Sequence, residues 1–324
     1  MYQLVAPVNI LAVIVLYKMQ VTDSPTYRSI LKSLEQVPKD HLRLKILLYD
    51  NSPQTTAPPI ELPKNVQYRA SKKNMGLADA YNTAVDVAYQ EGFEWILTLD
   101  QDTELPLDFL GDITTIALEQ GNDSNLAAIV PHITSDQRTV SPNWFRWGML
   151  PVRFTKDFTG IPDRTVYAFN SASTVRVSAI LEIGGYSPLF WLDNCDTYLY
   201  CHLAKAGKKI FVAGHIHVDH DFSMLDIKNR MSLSRFENAL ETGSVFRDIE
   251  WGWLAGIEYT SRLFRIYARQ VLKGDDAAFR RVTLAIIKKR LGKSKQRRIA
   301  EWKQKQCDRI ASYSEKLPKS ATNS

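Results

Sequence analysis

Two aspartates, Asp100 and Asp102, follow the apolar run WILTL at 95–99 with only Gln101 between them. Residues two apart on a strand point to the same side, so this spacing predicts two carboxylates converging at a sheet edge. Carboxylates that close repel unless a cation joins them or one takes a proton. A divalent ion carrying a diphosphate resolves the conflict, because Mg2+ and Mn2+ favour hard oxygen ligands and keep substrate phosphates in their shell. The alternative is a polar turn bearing two solvated acids.

Other chemistry-bearing residues fall into short segments. Asp50 also follows an apolar run, in YDNSP at 49–53. KNMGLADAYNTAV at 73–85 sets Asn74 and Gly76 in a turn before an amphipathic helix, where glycine permits close backbone approach. FWLDNCDTYLYCHL at 190–203 holds Asp193 and Asp196, spaced to share one face of a helix. Near a helix N-terminus both would gain from the dipole, and by themselves they read as helix caps. His215, His217 and His220 crowd together, but no cysteine spacing supports a zinc site made from them.

The elements that must position these residues are legible from periodicity. Apolar runs at 10–17, 45–49, 95–99 and 126–130 predict strands buried on both faces of a largely parallel sheet. Between them Leu77, Ala80, Tyr81, Ala84 and Ala88 recur at helical spacing, a face suited to packing on that sheet. The alternation predicts an α/β fold whose ligands lie beyond the carboxyl ends of the strands. Residues 134–165 break the rhythm, and Trp144, Phe145 and Trp147 read either as a flap over a ligand or as a loop filling a local core. From about residue 225 strand signals fade and long helices rich in Arg and Lys take over.

Composition bounds the rest. The 324 residues suit one large domain with an appendage, or two domains. LAVIVLY at 11–17 falls well short of the roughly 20 apolar residues that span a bilayer, and without a charged stretch before it or a cleavage site after it we read it as a strand. Three cysteines without a CxxC pair point to a reducing cytosol rather than a disulfide framework. Residues 262–324 carry 18 Lys and Arg against 5 Asp and Glu, whereas the remainder carries 23 against 30. That asymmetry predicts an anionic surface meeting the C-terminal region.

Taken in order, LTLDQD after N-x-G-L-A-x-A-x-N, then GGY…F-x-x-D-x-x-D and G-x-K-I, make the chain resemble a family 2 glycosyltransferase of the GT-A fold, and within that group its rhamnosyltransferase-like members. The resemblance covers roughly residues 10–222. It implies a GT-A catalytic domain over 1–225 and a helical, basic C-terminal region over 226–324. It also implies inverting, metal-dependent transfer of a sugar from a nucleotide-sugar donor, dTDP-L-rhamnose first and a UDP-sugar second. The acceptor would be a hydroxyl of a glycan or lipid-linked glycan in polysaccharide synthesis. Asp50 would lie against the base, and Asn74 with Gly76 would shape the wall near the ribose. Tyr17 and Asn170 would complete the nucleotide-sugar site, Asp100 would meet ribose or metal, and Asp102 with His220 would hold Mg2+ or Mn2+. The general base is assigned to Asp196, with Asp193 as orienting partner or substitute. The chain departs from the pattern at Tyr198, where an acid often follows the base, at His202, where an Arg often stands, and at Ser-Ala-Ser after Asn170. These changes bear on the acceptor and the sugar more than on the diphosphate.

The segment FRRVTLAIIKKRLGKSKQRR at 279–298 places Phe279, Val282, Ile286 and Ile287 at helical spacing beside cations, with Arg290 on the apolar side. It reads either as a helix lying on an anionic membrane or as an appendage packed on the chain with a solvated basic face. The expected location is cytoplasmic, with peripheral contact on the inner face of the cell membrane, and no nucleic-acid partner is expected. A nucleotidyltransferase, dehydrogenase or P-loop enzyme would need a glycine-rich loop after the first strand, and LYKMQVTDSP at 16–25 has no glycine. A non-catalytic membrane- or RNA-binding module on a degenerate sugar-nucleotide fold explains the basic tail but leaves Asp100, Asp102, Asp196 and His220 as coincidences.

Overall fold

Along β1, Val8–Leu16, alternate side chains enter two separate cores. Ile10, Ala12, Ile14 and Leu16 pack on one side, and Leu11, Val13 and Val15 on the other. Because neither face meets water, the strand reads as one unbroken apolar run, as expected for a strand covered by helices on both sides. Each buried Ile, Leu or Val among them contributes roughly 1.5–3 kcal/mol. The structure, a computed structural model, describes residues 6–53, 61–71, 73–135, 138–146, 150–219 and 231–314. The chain divides into two units, Met1–Phe222 and Ser223–Ser324.

In the first unit β2, Leu42–Asp50, and β3, Val66–Ala70, extend the sheet in parallel on one side of β1, and β4, Trp95–Asp100, joins it in parallel on the other. β5, Leu126–Ser135, and the late strand β10, Lys209–Asp219, pair in parallel farther out. The short β6, Arg138–Ser141, pairs with β5, and β7, Asn143–Arg146, with β8, Leu150–Arg153, forms a separate hairpin. β9, Ser173–Arg176, runs antiparallel between β4 and β5. The sheet is thus mixed but mostly parallel.

Helices α1, Pro25–Leu34, and α3, Phe109–Gln120, cover one face; α2, Leu77–Gln90, α4, Val177–Glu182, and α5, Cys195–Lys205, cover the other. The helical stripe expected on α2 is present, with Ala80, Tyr81, Ala84 and Ala88 all fully buried. Of the aromatics at 144–147, Trp144 packs beside the core and lies under Arg164, and Phe145 meets Tyr167 edge-on at 4.7 Å. Trp147 lies outside the described residues.

β9 has only four residues, and an arginine fixes its end. The Arg176 guanidinium donates to the carbonyls of Leu126 (2.9 Å) and Gly121 (2.8 Å), pairs with Glu94 and stacks on Trp95. These bonds secure the antiparallel insertion from both sides.

In the second unit, α6, Leu233–Phe246, leads through a π-helical turn at Arg247–Trp251 into α7, Gly252–Leu272; α8, Ala277–Gly292, and α9, Lys295–Ser314, follow. Its apolar core is small: Met231, Phe236, Leu240, Tyr259, Leu263, Ile286 and Ile287, flanked by Phe279 and Val282. The apolar side of 279–298 therefore faces inward, and Arg290 is buried with it rather than spoiling a lipid-facing stripe. Charge supplements this core. Buried Asp248 accepts two bonds from Arg298 (2.8 and 2.9 Å) and lies 3.4 Å from Arg290. Buried Glu241 likewise binds Lys289 and Lys305.

Removing the acid from such a pair leaves guanidinium charge buried without its partner. Asp248→Ala is expected to destabilise this unit by about 3–5 kcal/mol, read as a lowered urea midpoint in the helical circular-dichroism signal.

Candidate active site

The order of the sheet reverses beside β1, since β2 and β3 lie on one side and β4 on the other. A crevice for ligands opens beyond the strand ends at such a point. Asp50 pairs with Leu16 and Asp100 with Val15, so the end of β1 has a carboxylate on each side. Asp50 is buried, accepting the Ser52 amide at 2.8 Å and the Tyr68 hydroxyl at 2.6 Å. Tyr17, just past β1, is exposed, with Lys18 over its ring.

β4 ends at Asp100, and Gln101 and Asp102 form a turn. Strand alternation therefore does not extend to Asp102, contrary to the spacing argument. The turn is pinned from outside. The Gln101 side chain accepts the Tyr17 amide (2.8 Å), and Ser24 donates to the Gln101 carbonyl (2.6 Å). The Thr26 hydroxyl is shared between the carbonyls of Asp100 (2.6 Å) and Thr103 (2.7 Å). Asp102 stands exposed on this fixed turn.

Because β9 runs antiparallel, the residues before it arrive at the carboxyl end of β4. Ser171 donates to the Asp100 carboxylate, and Ala172, at φ 62°, sends its amide to Thr98. Buried Asn170 contacts the Cys195 sulfur (3.4 Å) and the Tyr186 hydroxyl (3.4 Å), while its carbonyl accepts from Thr98 (2.6 Å). Its side chain thus joins the sheet to α5.

Helix α5 begins at Cys195, after Asn194 in the left-handed region at φ 59°. Asp193 precedes the helix, so the pair does not share a helical face as the i, i+3 spacing predicted. The two carboxylates nevertheless feel each other's charge. Asp196, in the first turn, is partly exposed, and its Oδ1 accepts the Thr197 amide at 2.6 Å. Desolvation pushes its carboxyl up to about 6; the Thr197 bonds oppose the shift, and Asp100 and Asp193 add to it. Burial holds the Cys195 thiol well above its usual range, which makes it a packing group rather than a nucleophile. On α2 the Tyr81 hydroxyl is buried without a hydrogen-bond partner among the described residues, within the field of Asp100 and Asp196.

Gly76 precedes α2 at φ 92°, and a Cβ there would come within 2.4 Å of both the ring and the carbonyl of Trp191. The same Trp191 carbonyl accepts the Ala78 amide (3.1 Å), tying the start of α2 to the segment before α5. Buried Asn51 braces the turn containing Asn74, donating to the Gly76 carbonyl (3.0 Å) and accepting the Met75 amide (3.2 Å). The structure thus joins Asp100, Asp193 and Asp196 electrostatically and binds Ser171 to Asp100. Gln101, Ser171, Asn51 and Trp191 are positioning groups to which the motif reading gave no such role; Ser171 was noted only within the Ser-Ala-Ser departure, and the others stood inside or beside the motifs as apparent spacers.

The histidines separate. His215 lies 3.8 Å from Asp112, and His217 stands 5.7 Å, ring to ring, from buried His132. His220 lies outside the described residues. Among the described residues no three His, Cys, Asp or Glu side chains gather to hold a metal. Asp100 at the strand end and Asp102 on the turn after it supply the hard oxygens that suit a Mg2+ or Mn2+ ion whose remaining ligands come from substrate phosphates and water. The departures Tyr198 and His202 stack on each other at 4.0 Å.

A sequence profile described as Glycosyl transferase family 2 matches residues 13–183. No curated protein matches the sequence. The backbone is similar to GalNAc-T7 solved with UDP, GalNAc and Mn2+, at 14% identity and TM-score 0.52, over 89% of this chain and 56% of that one. It is similar also to TarS of S. aureus, at 13% identity and TM-score 0.49, over 81% of this chain and 43% of that one. A third similar structure is the mannosyltransferase PcManGT from Pyrobaculum calidifontis in complex with GDP-Man and Mn2+, at 11% identity, TM-score 0.47, 97% of this chain and 78% of that one. The first of these supports the fold: a mostly parallel sheet flanked by helices in the GT-A arrangement.

Asp196 has a folded-state pKa above that of an unfolded aspartate, so its ionisation opposes folding as pH rises from about 4 to about 6. Asp196→Asn retains an oxygen for the Thr197 amide and removes that charge. The variant should be more stable than the parent above pH 6 by about 1–2 kcal/mol, an amount discounted for solvent at a partly exposed group. The difference should vanish below about pH 4 in denaturant titrations.

Proposed function

The chain belongs to glycosyl transferase family 2, and from that membership and the geometry above we propose that it is an inverting glycosyltransferase. The single observation that carries the reading is Asp196, a partly exposed carboxylate in the field of Asp100 at the strand-end crevice. In the proposed reaction an acceptor hydroxyl attacks the anomeric carbon as the bond to the nucleoside diphosphate breaks on the opposite side. Asp196 takes the hydroxyl proton, for which a pKa of about 6 leaves it ionised yet basic near neutral pH. Asp193, beside it, orients it.

Asp50, Tyr17, Asn74 and Gly76 line the proposed nucleotide wall, with Asn170 holding the sheet to α5 behind it. Asp100, Asp102 and, from the motif order, His220 would hold Mg2+ or Mn2+. When bound, such an ion neutralises charge developing on the departing diphosphate. Residues 1–225 form the proposed catalytic domain and 226–324 the helical, basic region. The motif pattern favours L-rhamnose from dTDP-L-rhamnose, then a UDP-sugar, transferred to a glycan or lipid-linked glycan, with an anionic membrane as partner of the basic region.

Screening purified protein against nucleotide sugars, with product detection by mass spectrometry, tests the activity and the donor. Asp196→Asn should abolish transfer while leaving donor binding intact, and retained transfer would move the base to Asp193. Parent activity should fall as pH drops through about 6. The parent should gain Mn2+-dependent thermal stabilisation from a nucleoside diphosphate and Asp102→Ala should lose it; equal stabilisation in the variant would remove Asp102 from the metal site.

A further inference from the structure

α7 carries a row of exposed apolar side chains along its outer side. Trp253 is 70% exposed, Ile257 59%, Phe264 48% and Leu272 87%, and Leu254 and Val271 are exposed as well. At 100° per residue, Trp253, Ile257, Phe264 and Val271 fall within one narrow stripe, with Leu254 and Leu272 at its margin. The opposite side of the same helix, with Tyr259 and Leu263, fills the unit's own core, so the helix is held with the band outward. Single exposed apolar residues need no explanation, but a band running from Trp253 to Leu272 marks an interaction surface.

Exposed Arg262, Arg265 and Arg269 border the band on one side. Glu258, the acid on that border, pairs with Arg265 at 3.2 Å. Among the described residues no helix is long and apolar enough to cross a membrane. An apolar stripe edged by arginines suits a helix lying in the plane of an anionic lipid surface, with rings and aliphatic chains among the acyl chains and guanidiniums at the headgroups. Charge also separates this occupant from a second copy of the chain. Residues 262–324 hold 18 Lys and Arg against 5 Asp and Glu, so a copy-to-copy contact here brings like charge together, whereas anionic lipid brings the opposite sign.

We propose that the outer face of α7, and not the helix within 279–298 read from the sequence, docks the protein on an anionic membrane. The inference rests on the membrane partner proposed above and names the surface that meets it; it stands apart from the transfer chemistry. The test is co-sedimentation of the full chain with vesicles of phosphatidylcholine alone or mixed with phosphatidylglycerol. The parent, an I257E/F264E variant and a K288E/K295E variant should be compared, with oligomeric state from light scattering and folding from circular dichroism. The expected result is parent binding to the mixed vesicles only, weakened at least about tenfold in folded I257E/F264E. Unchanged binding of I257E/F264E with loss in K288E/K295E would keep the membrane as partner and overturn the α7 face. No binding of the parent to either vesicle would overturn both. A parent dimer that I257E/F264E converts to monomer would assign the face to self-association and overturn the proposal.

Discussion

Carboxylates from distant parts of the chain stand within one another's field at the end of the sheet, and much of the first unit's local detail restrains that repulsion. Asp100 arrives on β4, and Asp193 and Asp196 arrive around the start of α5. Left to themselves the acids would part or take protons. The fold fixes the Asp100 end with Ser171, with Thr26 on its carbonyl and with the clamp of Gln101 on the strand beside it. At the other end the first turn of a helix supplies the Thr197 amide and a favourable dipole. Desolvation outweighs those bonds and, with Asp100 and Asp193 adding to it, raises the Asp196 carboxyl to about 6, unlike an ordinary surface acid.

That arrangement depends on one topological exception. Were every strand parallel, the segment before β9 would lie at the amino end of the sheet, far from Asp100. Its antiparallel insertion delivers Asn170 and Ser171 to the carboxyl end, and Arg176 secures a strand too short to hold itself. Four of the parallel strands, β1, β2, β4 and β5, were legible in the sequence because double-sided burial writes itself as an apolar run, whereas parallel β3 and β10, with exposed positions along them, were not among the predicted runs. β9 was not legible either, since four residues of mixed character carry no period. The helical stripe of α2 was legible for a different reason: burial on one side only repeats at helical spacing. Asp193 and Asp102 were singled out in the sequence but misplaced in geometry, because each lies just outside the regular element whose period was used to place it. The partners that fix the acids, such as Gln101 and Asn51, look like spacers until the fold brings their targets close.

The C-terminal unit shows how the same pattern can mislead. Ile286 and Ile287 between cations look like one side of a membrane helix, yet they fill a core too small to exclude charge, and buried Asp248 and Glu241 neutralise the basic residues turned inward. The exposed apolar surface lies instead on α7. Periodicity identifies a helix's apolar side without saying whether protein or lipid covers it.

Gly76 and Trp191 meet through main chain as well as side chain, and this limits how the protein can change over time. Half of the obstruction facing position 76 is the Trp191 carbonyl, which every amino acid carries. A smaller residue at 191 would therefore not make room for a larger one at 76. Paired exchanges that let most neighbouring sites drift together are closed here, and descendants of this chain can vary position 76 only by rebuilding the path of the backbone that approaches it.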